Sequence, residues 1–152
     1  LLVVHTLSKS RAFAGLRVGY AVGHVDLIEA LQRVKNSFNS YPIDRLAQKA
    51  AIASFGDEDY FQSTVDKVIA SRTRLVKALE KLQFTCLPSA ANFILIHHAS
   101  IEAPALASFL RDRKIIVRHF STPRIDQYIR ITVGTDQQNQ FLLEAIAQFP
   151  SI

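Results

Sequence analysis

The residues best able to do chemistry stand near the start of the 152-residue chain, in Thr6-Leu7-Ser8-Lys9 and at Arg17, eight positions after the lysine. Lys9 follows shortly after the apolar run Leu1 to Val4, which we predict to be a short buried strand. A lysine at such a place can keep its aliphatic stem packed and present its amine at the strand end, where α/β proteins bind ligands. The amine of Lys9 is therefore a candidate nucleophile toward a carbonyl group.

The neighbours of Lys9 are suited to binding a phosphate group. Thr6 and Ser8 offer hydroxyl donors, and Arg17 offers a guanidinium fork, which matches the geometry of phosphate oxygens. On the Ser8-Lys9 pair alone, a solvated lysine in a serine-rich surface loop is the commoner arrangement. The longer pattern around Lys9 has to decide between the two interpretations.

A second candidate anion site lies near the end of the chain. From Tyr128 to Val133, aliphatic residues alternate with polar ones, so a strand here would place Arg130 between two hydroxyl side chains on the face opposite the core. An anion site and an exposed sheet face with a solvated arginine both fit this pattern. Arg118, in the apolar stretch Ile115 to His119, is ambiguous by itself. We interpret four arginines on predicted helices as solvated: Arg72, Arg74, Arg111 and Arg113.

The elements that must position these side chains follow from hydrophobic periodicity and turn signals. We predict strands over residues 1–4, 16–22, 92–97, 115–119 and 127–133, and a polar turn-rich stretch over 5–15. A short helix is predicted from Asp26, and a second helix from Asp44, as its N-cap, to about Phe55. A loop over 36–42 separates these two helices. Three more helices are predicted over 58–82, 103–113 and 136–149. This order predicts an α/β sandwich with a small sheet and a boundary near Gly56.

The sequence TLSK followed by AGLRVGY resembles the cofactor-lysine signature of the fold-type I aminotransferases of classes I and II. The segments NSFNSYPIDRLAQKAA, SAANFILI, IIVRHF and YIRITVGT resemble further parts of the histidinol-phosphate aminotransferase group, so the resemblance covers essentially the whole chain. It implies an α/β fold, the carboxy-terminal part of a fold-type I transferase dependent on pyridoxal phosphate. Residues 1–56 would end the large cofactor-binding domain, and residues 57–152 would form a small α/β domain with a short, mostly antiparallel sheet.

The resemblance also implies pyridoxal 5'-phosphate as the cofactor and a role for each matching residue. Lys9 would be the catalytic residue, forming an imine with the cofactor and then moving a proton on the substrate. The cofactor-binding residues that it implies are Lys9, Ser8, Arg17 and, more weakly, Thr6. The substrate-binding residues that it implies are Arg130, Arg118 and Asn92. Relatives often carry apolar or small residues just after the lysine, whereas this chain has Ser10-Arg11, which we expect to change the loop surface rather than the chemistry.

The activity that the resemblance implies is amino transfer from histidinol phosphate, or a similar amino donor, to 2-oxoglutarate, a step of histidine biosynthesis in a homodimeric enzyme. The acidic partner of the pyridine nitrogen and the aromatic residue that stacks on the ring would lie upstream of Leu1, so the isolated chain is expected to be inactive or nearly so. Three alternatives stay open: an aromatic amino-acid aminotransferase, a decarboxylase of the threonine-phosphate type, and a folded fragment without catalysis.

Composition narrows the partners further. The net charge is +5, but the Lys and Arg residues are spread along the chain, which favours small anionic ligands over nucleic acid. The one cysteine, Cys86, and the adjacent His97 and His98 have no metal-ligand spacing, and the cysteine usage predicts a cytoplasmic setting. No stretch is long and apolar enough to predict a membrane span. The absence of methionine and the apolar start predict that the chain is part of a longer protein.

Overall fold

The computed structural model describes residues 1–150 and divides into two compact units, Leu1–Val65 and Asp66–Ile152. The division falls within a long helix. The domain boundary near Gly56 concerns the domains of the whole protein, and it stays a prediction.

The first unit is built on a two-stranded antiparallel sheet, whose strands pair from Leu2 opposite Gly23 to Thr6 opposite Gly19. Gly19 permits this pairing, because a Cβ atom there would lie 2.9 Å from the carbonyl oxygen of His5. The elements are β1 (Leu2–Thr6), α1 (Leu7–Ser10), β2 (Gly19–Gly23), α2 (Val25–Phe38), α3 (Arg45–Gly56) and the beginning of α4 (Glu58–Lys81).

Local chemistry accounts for the helix boundaries in this unit. The predicted N-cap Asp44 is confirmed, because its carboxylate accepts a hydrogen bond from the backbone N–H of Ala47 at 2.8 Å. The helix predicted from Asp26 instead begins at Val25 with His24 as its N-cap, and it continues to Phe38, into the predicted loop.

Three further expectations for the first unit were wrong. The predicted strand over 16–22 is a strand only from Gly19, because Arg17 has a φ of 55°, in the left-handed region that a β-ladder excludes. The strand before Lys9 is mostly exposed, since it pairs with β2 alone. Arg11, expected to alter only the loop surface, has a side chain that is 9% exposed.

The second unit is a four-stranded sheet covered on one face by helices. The strand order is β3-β4-β6-β5 and every pairing is antiparallel, as the predicted fold class requires. The elements are the rest of α4, β3 (Thr85–Cys86), β4 (Phe93–His97), α5 (Ala103–Asp112), β5 (Arg118–His119), β6 (Ile129–Thr132) and α6 (Asp136–Ala147).

The core of this unit decides which face of the sheet is available for a ligand. Ile94 and Ile96 of β4 and Ile131 of β6 are at most 3% exposed and pack against the helices. Burying each such side chain contributes about 1.5–3 kcal/mol, so the alternation along the strands is strongly held. The side chain of Arg130 therefore lies on the opposite side of the strand from these core residues.

In the second unit, one predicted strand was too long and one short strand was missed. The strand expected over 115–119 shrinks to Arg118–His119, because the backbone N–H of Ile115 still closes the end of α5 on the carbonyl of Leu110 at 2.9 Å. The two-residue strand β3 was not predicted. The last helix ends at Ala147, slightly before the predicted Phe149.

A buried polar cluster holds the end of β6 between α4 and α6. The side-chain amide of Asn139 donates to the hydroxyl of Ser71 at 2.9 Å, and its oxygen accepts from the backbone N–H of Gly134 at 3.0 Å. The hydroxyl of Ser71 in turn donates to the carbonyl of Gly134 at 3.1 Å. The cluster therefore fixes the strand that carries Arg130.

Replacing Asn139 with leucine is expected to lower the free energy of unfolding by about 2 kcal/mol, because the buried polar groups of Gly134 lose partners. Urea denaturation followed by circular dichroism would measure the change in the full-length protein. Gln140→Leu is the matched control, since Gln140 is an exposed amide on the same helix and its loss should cost less than about 0.5 kcal/mol. Equal losses in the two variants would contradict the role given to the cluster.

Candidate active site

Lys9 lies in α1, a single helical turn that follows directly on β1. Thr6 caps this turn: its Oγ1 accepts from the backbone N–H of Ser8 at 3.1 Å and donates to the hydroxyl of Ser8 at 2.9 Å. Lys9 is exposed on the same turn. The structure therefore brings two hydroxyl groups and an amine together at one end of β1.

A backbone hydrogen bond holds the segment that carries Arg17 against this turn. The N–H of Leu7 donates to the carbonyl of Val18 at 3.0 Å, and both side chains are buried in a small core with Ala47. Arg17 itself is exposed, and its guanidinium donates to the carbonyl of Ala14 at 3.1 Å. Arg17 thus precedes a residue that is bonded to the lysine turn.

The donor set of the first unit fits a phosphorylated aldehyde. Hydroxyl groups and a guanidinium are strong donors to a phosphate, and the amine of Lys9 can attack a carbonyl carbon. By contrast, burial raises the pKa of the Cys86 thiol to about 11, and Glu80 adds to this shift. The thiol is therefore protonated at neutral pH and is a poor nucleophile.

Arg118 and Arg130 lie directly opposite each other on neighbouring antiparallel strands, so their side chains share one face of the sheet. Like charges placed opposite each other are destabilising, and a bound anion would relieve the repulsion. Both arginines line a cleft of about 600 Å³, together with polar groups that include Ser108 and Thr132. This cleft suits a carboxylate or a phosphate.

Two aromatic rings that sequence reasoning missed support these arginines. The ring of Phe120 lies 5.5 Å from Cζ of Arg118 and 6.0 Å from Cζ of Arg130, and the ring of Phe93 lies 5.1 Å from Cζ of Arg130. The available signal was spacing, since Phe120 is two residues from Arg118 and an extended chain places such residues on one side. The flat rings restrict where the guanidinium groups can lie.

Asn92 directly precedes β4 and is exposed, and its carbonyl accepts from the backbone N–H of Val133 at 2.9 Å. The guanidinium of Arg72 donates to the preceding carbonyl, that of Ala91, at 2.6 Å. The interpretation of Arg72 as a solvated residue was therefore wrong. Arg72 instead fixes the backbone next to Asn92.

The two adjacent histidines, His97 and His98, contact different aromatic rings. The ring of His97 lies 5.0 Å from that of Tyr128, and the ring of His98 lies 4.9 Å from that of Phe84.

Within residues 1–150, no group of three His, Cys, Asp or Glu side chains is arranged to hold a metal ion. No helix in the described part of the chain is long and apolar enough to cross a membrane.

Comparison with known proteins decides the family. A family model for aminotransferases of class I and II matches residues 1–146. The chain belongs to this family. Among class I and II aminotransferases, the chain is 60% identical over 148 residues to histidinol-phosphate aminotransferase 2 of Dechloromonas aromatica, a match that covers 97% of this chain and 42% of that protein. The chain thus spans about two fifths of the length of such relatives.

Solved structures of similar proteins confirm the predicted fold class. Histidinol-phosphate aminotransferase from Sinorhizobium meliloti, solved in complex with pyridoxal-5'-phosphate, matches with a TM-score of 0.84 and 27% identity over 95% of this chain and 39% of that chain. L-threonine-O-3-phosphate decarboxylase from Porphyromonas gingivalis matches with a TM-score of 0.82 and 25% identity over 100% of this chain and 47% of that chain. Both resemblances therefore extend over nearly all of the present chain.

Proposed function

We propose that the full-length protein is a pyridoxal-phosphate-dependent aminotransferase that moves an amino group from histidinol phosphate, or a similar donor, to 2-oxoglutarate. The observation that carries the proposal is the lysine turn, where Lys9 stands beside the paired hydroxyls of Thr6 and Ser8. The 60% sequence identity to a histidinol-phosphate aminotransferase supports the choice of amino donor.

The first unit would hold the cofactor. Ser8 and Arg17, with Thr6 in support, would donate hydrogen bonds to its phosphate group. The bound cofactor would supply an aldehyde and an electron-withdrawing ring. Lys9 would hold the cofactor covalently through its amine, and the same amine would act as the base that removes the proton from the substrate α-carbon and as the acid that gives it back.

The second unit would hold the substrate. The guanidinium groups of Arg118 and Arg130, opposite each other across the sheet, would bind the phosphate of the amino donor in one half-reaction and the distal carboxylate of glutamate in the other. Asn92, exposed directly before β4, would help to orient the substrate. Both substrates present an anion, so one cleft can serve both half-reactions.

The direct test is to supply the full-length protein with pyridoxal phosphate, histidinol phosphate and 2-oxoglutarate and to measure glutamate. We expect glutamate formation that requires both substrates, and slower formation with aromatic amino acids as donors. Rapid transfer from aromatic donors, with none from histidinol phosphate, would replace the proposed substrate.

The likeness to L-threonine-O-3-phosphate decarboxylase makes decarboxylation a second candidate. Release of carbon dioxide from threonine phosphate, without glutamate formation, would favour it.

We further propose that the full-length enzyme is a homodimer. We also propose that the isolated 152 residues are inactive, since they span about two fifths of the length of their relatives. Robust transamination by the isolated chain would contradict the latter.

A further inference from the structure

Arg11 is the most buried charged side chain next to Lys9, and the proposed chemistry leaves it without a role. Its side chain is 9% exposed, although it lies only two residues beyond the lysine. A buried guanidinium is costly unless hydrogen bonds and an opposite charge compensate it. Its partners therefore indicate what it holds.

The guanidinium of Arg11 joins the end of α3 to the beginning of α4. One nitrogen donates to the carbonyl of Ser54 at 2.6 Å, and another forms an ion pair with the carboxylate of Glu58 at 2.8 Å. Its Cζ lies 3.7 Å from the centre of the Phe61 ring and 5.2 Å from that of Phe55. Ser54 belongs to the last turn of α3, where the helix dipole also favours a cation.

The backbone connects this anchor directly to Lys9. The N–H of Arg11 donates to the carbonyl of Leu7 at 3.3 Å, and the N–H of Ala12 donates to the carbonyl of Lys9 at 3.2 Å. Ala12 has a φ of 58°, a conformation that residues other than glycine adopt only when their surroundings impose it. A shift of Arg11 would therefore be passed to the turn that carries Lys9.

We propose that Arg11 is a positioning residue for Lys9, which holds the lysine turn at a defined place against the junction of α3 and α4. The proposal rests on the aminotransferase function proposed above. Arg11 would affect the position of the Lys9 amine and not the substrate-binding residues Arg118 and Arg130. We therefore expect its replacement to change kcat rather than KM. A misplacement of about 1 Å at a reacting group can cost about a hundredfold in rate.

The test compares Arg11→Met and Arg11→Lys with Arg33→Met in the full-length protein loaded with pyridoxal phosphate. Arg33 is the matched control, because it forms an ion pair with Glu29 but is 84% exposed. We expect Arg11→Met to lower kcat about tenfold or more, with KM for the amino donor within about twofold of wild type. The pH at which the absorbance of the lysine-bound cofactor changes should also shift in Arg11→Met and not in Arg33→Met.

Arg11→Lys keeps a positive charge near Glu58 but cannot span both partners, so it should recover part of the lost kcat. Wild-type kcat and an unshifted absorbance transition in both Arg11 variants would overturn the proposal. If Arg11→Met does not fold, Arg11→Lys decides by the same two measurements. A wild-type protein without the lysine-bound absorbance would overturn the proposed function itself, whereas an active wild type with unaffected variants overturns only the role of Arg11.

Discussion

The Lys9→Ala variant of the full-length protein is expected to lose transamination by at least about a thousandfold and to lose the absorbance of the lysine-bound cofactor. General acid–base catalysis alone contributes about 10²–10⁴ in rate, and alanine also removes the nucleophile that attaches the cofactor. Steady-state glutamate formation and an absorbance spectrum with added pyridoxal phosphate measure the two losses.

The appropriate control is Lys49→Ala, because Lys49 is an exposed lysine on α3 of the same unit. It should retain both the activity and the spectrum. Lys9→Arg keeps the positive charge but supplies no amine that can attack the aldehyde, so it should behave like the alanine variant. An unchanged spectrum in Lys9→Ala would exclude Lys9 as the cofactor lysine.

Arg130→Ala is expected to raise KM for histidinol phosphate and for 2-oxoglutarate by about ten- to a hundredfold. A hydrogen bond to a charged group contributes about 1.5–3 kcal/mol, and 1.4 kcal/mol corresponds to a factor of ten. Initial rates over a range of each substrate measure the change. Both substrates should be affected, because both would place an anion in the same cleft.

The paired arrangement makes a sharper prediction for the double variant. Arg118 lies opposite Arg130, so the effects of Arg118→Ala and Arg130→Ala should not add, as is usual for groups that bind one ligand. Arg113→Ala, an exposed arginine at the end of α5, should leave KM unchanged. Additive effects, or an effect on only one substrate, would show that the two guanidinium groups do not share an anion.

Much of the secondary structure was predictable because its signals are local. The N-cap at Asp44 and the long helix α4 follow from a capping side chain and from apolar residues at helical spacing. The alternation around Arg130 also predicted correctly that β6 turns its aliphatic side chains inward. The boundaries that failed, at Leu16 and Ile115, depend on backbone conformations that hydrophobic periodicity does not report.

The supporting contacts were not predictable because they join residues distant in the sequence. Arg11 contacts Ser54 and Glu58, and Asn139 contacts Ser71, across loops whose path no local pattern describes. Arg11 was interpreted as a surface residue, because its partners on α3 and α4 can be identified only from the folded structure. Charged and polar side chains are compatible with many positions, so burial alone separates a structural role from a solvated one.

The sequence by itself determined the family and the identity of the chemical groups: a lysine with hydroxyl and guanidinium neighbours, and an arginine on an alternating strand. These features are short-range, so residue type and spacing suffice to specify them. Only the tertiary structure decided that Arg118 lies opposite Arg130 and that Arg11 anchors the lysine turn. Strand register and the contacts of a buried guanidinium depend on how the whole unit packs, and packing selects among partners that the sequence leaves open.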